Sequence, residues 1–133
     1  MDPAISGHAA ALWVGLNLLL LLVLSGLVVR LRQKHKIALG DGGIPELARA
    51  IRTFGNATEY VPTGMAAIAV LAVVQAPAAA VHIIGLALFA GRMIHAVGLF
   101  NTGGASVPRA LGIVLTWLGY LFAAVVLLLY AIA

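Results

Sequence analysis

The chain of 133 residues contains no cysteine, and only four of its residues are aspartate or glutamate. Without cysteine the protein forms no disulfide, supplies no thiolate nucleophile and builds no thiolate metal site. Charged residues of both signs make up only 9% of the chain, whereas hydrophobic residues make up 63%. This balance is far too apolar for a soluble domain of this length. The composition therefore predicts an integral membrane protein.

Four apolar stretches follow one another with little chain left between them. They cover residues 5–29, 45–74, 78–100 and 107–132, and each is long enough to cross a hydrocarbon core of about 30 Å as a helix. We therefore predict an all-α membrane protein, with a single four-helix transmembrane domain over residues 1–133. We do not expect the first stretch to be a cleaved signal peptide, because Asp2 precedes it and no Lys or Arg does.

Every lysine and arginine lies at or near the first or the third connection between these stretches. These residues are Arg30, Arg32, Lys34, Lys36, Arg49, Arg52, Arg92 and Arg109. Cytoplasmic loops of membrane proteins carry an excess of Lys and Arg, so both connections are predicted to be cytoplasmic and both termini to lie on the other side. The net charge of +4 follows from this topology and requires no nucleic-acid partner, although the basic segment favours anionic lipid headgroups.

The second stretch carries polar residues where a membrane helix is normally apolar. Four of them share one helix face, within an arc of about 80° at 100° per residue: Arg49, Arg52, Asn56 and Glu59. Such a face could bind a zwitterionic ligand such as glutathione or another small peptide, because arginine grips carboxylates bidentately. Alternatively, Arg52 and Glu59 only neutralise charges on neighbouring helices. Pro62 is expected to kink the helix just past this face.

The third stretch carries a second polar pair, Arg92 and His95, three residues apart on one helix face. Arg92 lies about 12 Å from the helix end near Phe100, so it needs a partner, and Glu59 is the candidate within the protein. His95 is expected to be a hydrogen-bonded structural residue, and no His and carboxylate have metal-ligand spacing. Arg109 lies in the first turn of the fourth helix, where a cation opposes the helix dipole, so we expect it to meet an anion or lipid headgroups.

Small residues recur at helical spacing in the last two stretches. They are Gly85, Gly91 and Gly98 in the third and Gly112, Thr116 and Gly119 in the fourth. Such residues let membrane helices approach closely, within one bundle or between subunits. Four short helices shield several polar side chains from lipid poorly, so we expect an oligomer with its sites at subunit contacts.

The motif Arg49-x-x-Arg52-x-x-x-Asn56-x-x-Glu59-Tyr60-x-Pro62 resembles the second-helix signature of the MAPEG family, the membrane-associated proteins of eicosanoid and glutathione metabolism. Further matches extend the resemblance over the whole chain: Val29-Arg30-Leu31-Arg32, Gly91-Arg92-x-x-His95 and Arg109. The resemblance implies four transmembrane helices, a homotrimer, and glutathione bound between adjacent subunits near the cytoplasmic side. The compact chain, without an endoplasmic-reticulum retrieval signal, favours a bacterial inner membrane.

Carried over by position, the resemblance implies that glutathione is the cofactor, with Arg30 on its carboxylate and Glu59 on its ammonium. Together with Arg49 of the polar face, the candidate contacts are Arg30, Arg49, Arg52, Asn56, Glu59, Tyr60, Arg92 and His95. Arg109 resembles the family's catalytic arginine, which stabilises the glutathione thiolate. A nearby cation does lower a thiol pKa from about 8.5 and raises the thiolate fraction.

One position departs from the family pattern. Catalytic members carry a tyrosine seven residues after the third-helix arginine, and here that position is Leu99. The leading hypothesis is a membrane-embedded glutathione-dependent transferase or peroxidase that conjugates or reduces apolar electrophiles reaching it from the bilayer. The presence of the family's arginines in this sequence favours this hypothesis, whereas Leu99 favours a non-catalytic lipid-binding or scaffold member of the family. A purely structural bundle or a small transporter is a third possibility, and the lack of an inverted repeat disfavours the transporter.

Overall fold

The computed structural model describes residues 3–132, and these form four helices and no strand. The helices are α1 (Pro3–His35), α2 (Pro45–Val73), α3 (Ala78–Asn101) and α4 (Val107–Ile132). The all-α prediction is therefore confirmed for this part of the chain. The terminal residues 1, 2 and 133 lie outside the described residues. The prediction that both termini lie on the non-cytoplasmic side concerns these residues.

Helix α1 continues well past the apolar stretch that ends at residue 29. No glycine or proline interrupts the segment up to His35, and Leu31 is buried in a cluster with Leu47 and Ala50 of α2. The change from apolar to basic residues thus marks the end of the apolar run and not the end of the helix. The helix ends where Lys36 takes a left-handed conformation with φ 57° and the Ile37 amide donates to the Arg32 carbonyl at 3.0 Å.

Helix α2 follows a short loop that contains three glycines with positive φ, Gly40, Gly42 and Gly43. Pro45 occupies the first turn of the helix, where its missing N–H costs no hydrogen bond. The helix runs unbroken through Pro62 to Val73. It thereby keeps the whole polar face and the apolar segment after it on one element.

Three of the described helices are long and apolar enough to cross a membrane, over Ile5–His35, Ala78–Asn101 and Val107–Ile132. These spans make the protein an integral membrane protein. Helix α2 is not among them, because the charged and polar residues of its first half lower its hydropathy. Its passage across the bilayer stays a prediction.

Helix α3 touches each of the other three helices, whereas α1 and α4 make no mutual contact among the described residues. Buried apolar side chains fill the bundle in three clusters along its length. Large apolar side chains such as Leu22 and Leu128 face outward, as is usual for a surface that contacts lipid. Of the polar side chains of α3, Arg92 and His95 are buried inside the bundle.

Candidate functional site

Arg92 lies at the centre of a buried polar cluster and is only 1% exposed. Its Nε donates to Thr116 Oγ1 at 2.9 Å and its Nη1 donates to Asn56 Oδ1 at 2.8 Å. Its Nη2 donates to the carbonyl of Gly112 at 3.2 Å. The guanidinium carbon also lies 4.6 Å from the centroid of the Tyr60 ring, which is a cation–π contact. Arg92 of α3 therefore connects its own helix to both α2 and α4.

Each partner that the described residues offer to the Arg92 guanidinium is electrically neutral. The sequence predicted Glu59 as its partner, but Glu59 pairs with Arg52 instead, Oε1 to Nη1 at 3.0 Å. The reason is positional, because Glu59 lies on the exposed side of α2 and the amide of Asn56 stands between it and Arg92. A buried charge without a counter-ion is costly, so the cluster holds a positive potential that favours a nearby anion.

Asn56 connects this buried cluster to the surface of the bundle. Its Oδ1 accepts from Arg92, and its Nδ2 donates to Glu59 Oε2 at 3.4 Å. Glu59 in turn accepts from Arg52, and the side chains of this pair are 51% and 61% exposed, respectively. An exposed ion pair contributes at most about 1 kcal/mol. A ligand that carries both charges can therefore replace the pair at little cost.

Two hydroxyls of α4 belong to the cluster, those of Thr116 and Tyr120. The sequence pattern predicts Thr116 only as a small packing residue and predicts no role for Tyr120. The Tyr120 hydroxyl donates to the carbonyl of Tyr60, and the two rings lie 6.3 Å apart. Their spacing of four residues places both hydroxyls on one face of α4, and this spacing is the signal that could have identified them.

Glycines set the close approach of α3 and α4 that supplies these partners. A Cβ atom on Gly91 would lie 2.6 Å from Thr116 Oγ1 and 2.9 Å from the carbonyl oxygen of Gly112. A Cβ atom on Gly112 would lie 2.6 Å from the backbone nitrogen of His95. Only glycine fits at these two positions without displacing backbone. Thr116 and the Gly112 carbonyl reach Arg92 because of this contact.

His95 and Arg109 meet at the start of α4. The Nδ1 atom of His95 lies 2.9 Å from the carbonyl oxygen of Arg109, and since a carbonyl only accepts, Nδ1 is the donor. The Arg109 guanidinium donates to the carbonyl of Gly104 in the preceding loop. Its expected contact with an anion or with lipid headgroups stays a prediction. Both side chains line a cavity of about 240 Å³ together with Ala105, Ser106, Ala110 and Ile113. This cavity has room for a small polar group beside a cation.

Two predicted contacts, Arg49 and Arg30, lie away from this arrangement within one chain. Arg49 is turned toward α3, where its Nε donates to the carbonyl of Phe100 at 2.9 Å. It satisfies a carbonyl at the C-terminal end of that helix. Arg30 is exposed and makes no hydrogen bond or ion pair with a described residue. The polar face of α2 therefore consists of Arg52, Asn56 and Glu59, without Arg49.

Arg32 is the α1 arginine that lies beside this face. It lines an open cavity of about 340 Å³ with Arg52 of α2 and with Asp41 of the loop. Its Nη1 donates to the carbonyls of Ala38 at 3.3 Å and Gly40 at 2.9 Å, which fixes the loop against the helix end. Arg30 and Arg32 project about 160° apart around α1, so only one of them can face α2. The sequence motif contains both arginines and does not indicate which one faces α2.

The fold and the cluster define a class of protein. It is an integral membrane helix bundle that buries an arginine where three helices meet and presents an Arg–Glu pair beside it. Among residues 3–132, no group of three or more His, Cys, Asp or Glu side chains is placed to hold a metal ion.

Comparison with known proteins identifies the family. The family model of the MAPEG family matches residues 10–129. The inner membrane protein YecN, from each of two Escherichia coli strains, is 42% identical over 92 residues, which is 69% of this chain and 70% of the relative. The chain therefore belongs to the MAPEG family, and the resemblance read from its motifs is confirmed.

Proposed function

We propose that this protein binds glutathione on the exposed face of α2 and uses it to conjugate or reduce apolar electrophiles within the membrane. The proposal rests on one observation, the hydrogen-bonded chain from the exposed Arg52–Glu59 pair through Asn56 to the buried Arg92. This series of hydrogen bonds presents both signs of charge at the surface, and the buried Arg92 behind them has no counter-ion among the described residues. Membership of the family supports glutathione as the ligand.

Glutathione matches this arrangement because it carries two carboxylates and an ammonium group. Arg52 can grip a carboxylate bidentately, and Glu59 can accept from the ammonium. The thiol would then be ionised by a cation, a role we assign to Arg109 at the cavity shared with His95. The thiolate is the nucleophile, and the protein positions and ionises it.

The proposed assembly is a homotrimer with a site at each subunit contact. Within one chain Arg32 and not Arg30 lies beside Arg52, so Arg30 can reach the ligand only from a neighbouring subunit. The exposed Arg52–Glu59 pair lies where such a neighbour could cover it. The relative's name also supports placement in a bacterial inner membrane. The distribution of Lys and Arg favours both termini on the non-cytoplasmic side.

Replacing Arg109 with alanine is expected to reduce the thiolate absorbance in the ultraviolet that appears when glutathione binds. Without the guanidinium the thiol pKa should return toward its ordinary value of about 8.5. Arg109→Lys is the matched control, because it keeps a positive charge and should retain most of the signal. An unchanged signal in Arg109→Ala would assign thiol ionisation to a different cation.

A non-catalytic, lipid-binding role is the second candidate, and Leu99 favours it. Leu99 is buried one turn after His95 on α3, so a hydroxyl is missing at the position where catalytic relatives carry tyrosine. The phenol would have acted as a hydrogen-bond donor close to the proposed thiol cavity.

Leu99→Tyr is expected to raise turnover of a generic electrophile such as a chloronitrobenzene several-fold, because it restores that donor. Leu99→Phe is the control for ring size, and it should give no increase. Turnover should be measured with glutathione at saturation, so that binding and chemistry are separated. Equal, negligible turnover in the wild type, Leu99→Tyr and Leu99→Phe would favour the non-catalytic role.

A further inference from the structure

An apolar groove runs along the outside of the bundle between α1 and α3. It has a volume of about 250 Å³, and its walls are Leu20, Val23, Leu24 and Leu27 of α1 and Met93, Ala96, Val97, Phe100 and Asn101 of α3. Its floor is Thr53 of α2, whose hydroxyl donates to the carbonyl of Arg49 at 2.8 Å. The hydroxyl proton is thus used internally, and the groove presents an almost entirely apolar surface.

The groove is open to the surroundings of the bundle along its length. The rim residues Val23 and Val97 are 66% and 54% exposed, and they face outward from the helices that cross the membrane. From Leu20 to Leu27 the groove extends about 10 Å along α1. A volume of about 250 Å³ over this length is close to that of a single acyl chain, and it is several-fold smaller than that of a helix about 10–12 Å in diameter.

A positive charge adjoins one end of the groove. Arg49 makes hydrogen bonds with two residues that line this end, since its carbonyl accepts from Thr53 and its Nε donates to the carbonyl of Phe100. Its two Nη groups make no hydrogen bond with a described residue, and neither does the side-chain amide of Asn101 at the end of α3. No acidic side chain lines the groove. Apolar walls that end in an amide, with a guanidinium adjoining that end, are complementary to an anionic amphiphile.

We propose that this groove binds one anionic phospholipid, with an acyl chain between α1 and α3 and the phosphate on Arg49 and Asn101. Because α1 and α3 both run toward the basic end of the bundle, the lipid comes from the leaflet on that side. Basic groups placed between membrane helices are suited to such headgroups. The site is separate from the polar face of α2, and Arg49 contributes to it because its side chain turns toward α3.

Native mass spectrometry of the detergent-solubilised oligomer, loaded with phosphatidylglycerol or with phosphatidylcholine, tests the proposal. The wild type should retain one phosphatidylglycerol per chain and at least five-fold less phosphatidylcholine. Val23→Trp should reduce this retention at least five-fold by filling the groove, and Leu22→Trp is the matched control on the neighbouring exposed face. Arg49→Gln should remove the preference for the anionic lipid, and Arg49→Lys should keep it.

Equal retention of the two lipids by the wild type would overturn the proposal, and so would retention that Val23→Trp leaves unchanged. Displacement of the signal by inorganic phosphate alone would show that only the headgroup is recognised and would contradict a role for the groove. If the wild type retains no lipid and Val23→Trp disrupts the oligomer, the groove is a contact between subunits.

Discussion

Arg52→Ala is expected to abolish the thermal stabilisation of the protein by glutathione while leaving its oligomeric state unchanged. A ligand that binds only the folded state at 100 times its Kd stabilises by about 2.7 kcal/mol, which a melting experiment in detergent detects easily. The variant removes the guanidinium that would grip the ligand's carboxylate. Its effect on folding should be small, because Arg52 is more than half exposed and its pair with Glu59 contributes at most about 1 kcal/mol.

A second exposed ion pair among the described residues offers a matched control. Lys34 and Glu46 form an ion pair of 3.2 Å away from the polar face, so Lys34→Ala removes a similar charge and should keep the full response to glutathione. Stabilisation that survives in Arg52→Ala would place the ligand elsewhere. Loss of the oligomer in Arg52→Ala would give the pair a structural role instead, which is the alternative that the sequence left open.

Gly112→Val is expected to destroy the native bundle. A Cβ atom at this position would lie 2.6 Å from the backbone nitrogen of His95, so α3 and α4 must separate. Overpacking costs about 1–3 kcal/mol, and each buried donor that loses its partner costs about 1–3 kcal/mol more. Arg92 would lose its contacts with Thr116 and with the Gly112 carbonyl together. Size-exclusion chromatography after heating should show a large fall in the melting temperature or no folded protein.

Gly15→Ala is the control for this prediction. Beyond its chain neighbours and its own helix backbone, nothing lies within 4 Å of a Cβ at Gly15. Alanine is favoured over glycine in a helix by about 1 kcal/mol, so the variant should melt at the wild-type temperature or above it. If Gly112→Val melted as high as Gly15→Ala, the close contact of α3 and α4 would not hold the cluster together.

Hydrophobic runs and turn residues were enough to place the starts of α2, α3 and α4, since glycine or proline lies in the loop or first turn before each of them. The ends of α4 match the predicted residues 107–132, and Pro45 marks the start of α2. The end of α1 could not be placed this way, because Arg30 to His35 remain helical through the burial of Leu31 against α2. That contact depends on tertiary packing, which the pattern of one segment does not contain.

The candidate site also has one part that the sequence predicts and another part that depends on tertiary packing. Helical periodicity alone puts Arg52, Asn56 and Glu59 on one face, so the sequence predicts that part well. The partners of Arg92 come from two other helices, and their positions depend on how closely Gly91 and Gly112 let α3 approach α4. For the same reason the turn of Arg49 toward α3 could not be read from spacing, because Phe100 lies far from it in sequence.

Isothermal titration of the detergent-solubilised wild type with glutathione tests the central claim most directly. The account predicts saturable binding with one site per chain, because each chain carries one Arg52–Glu59 pair backed by Asn56 and Arg92. It also predicts similar binding of a γ-glutamyl tripeptide with alanine in place of cysteine, since the charged groups and not the thiol provide recognition. The absence of binding at millimolar glutathione would contradict the account.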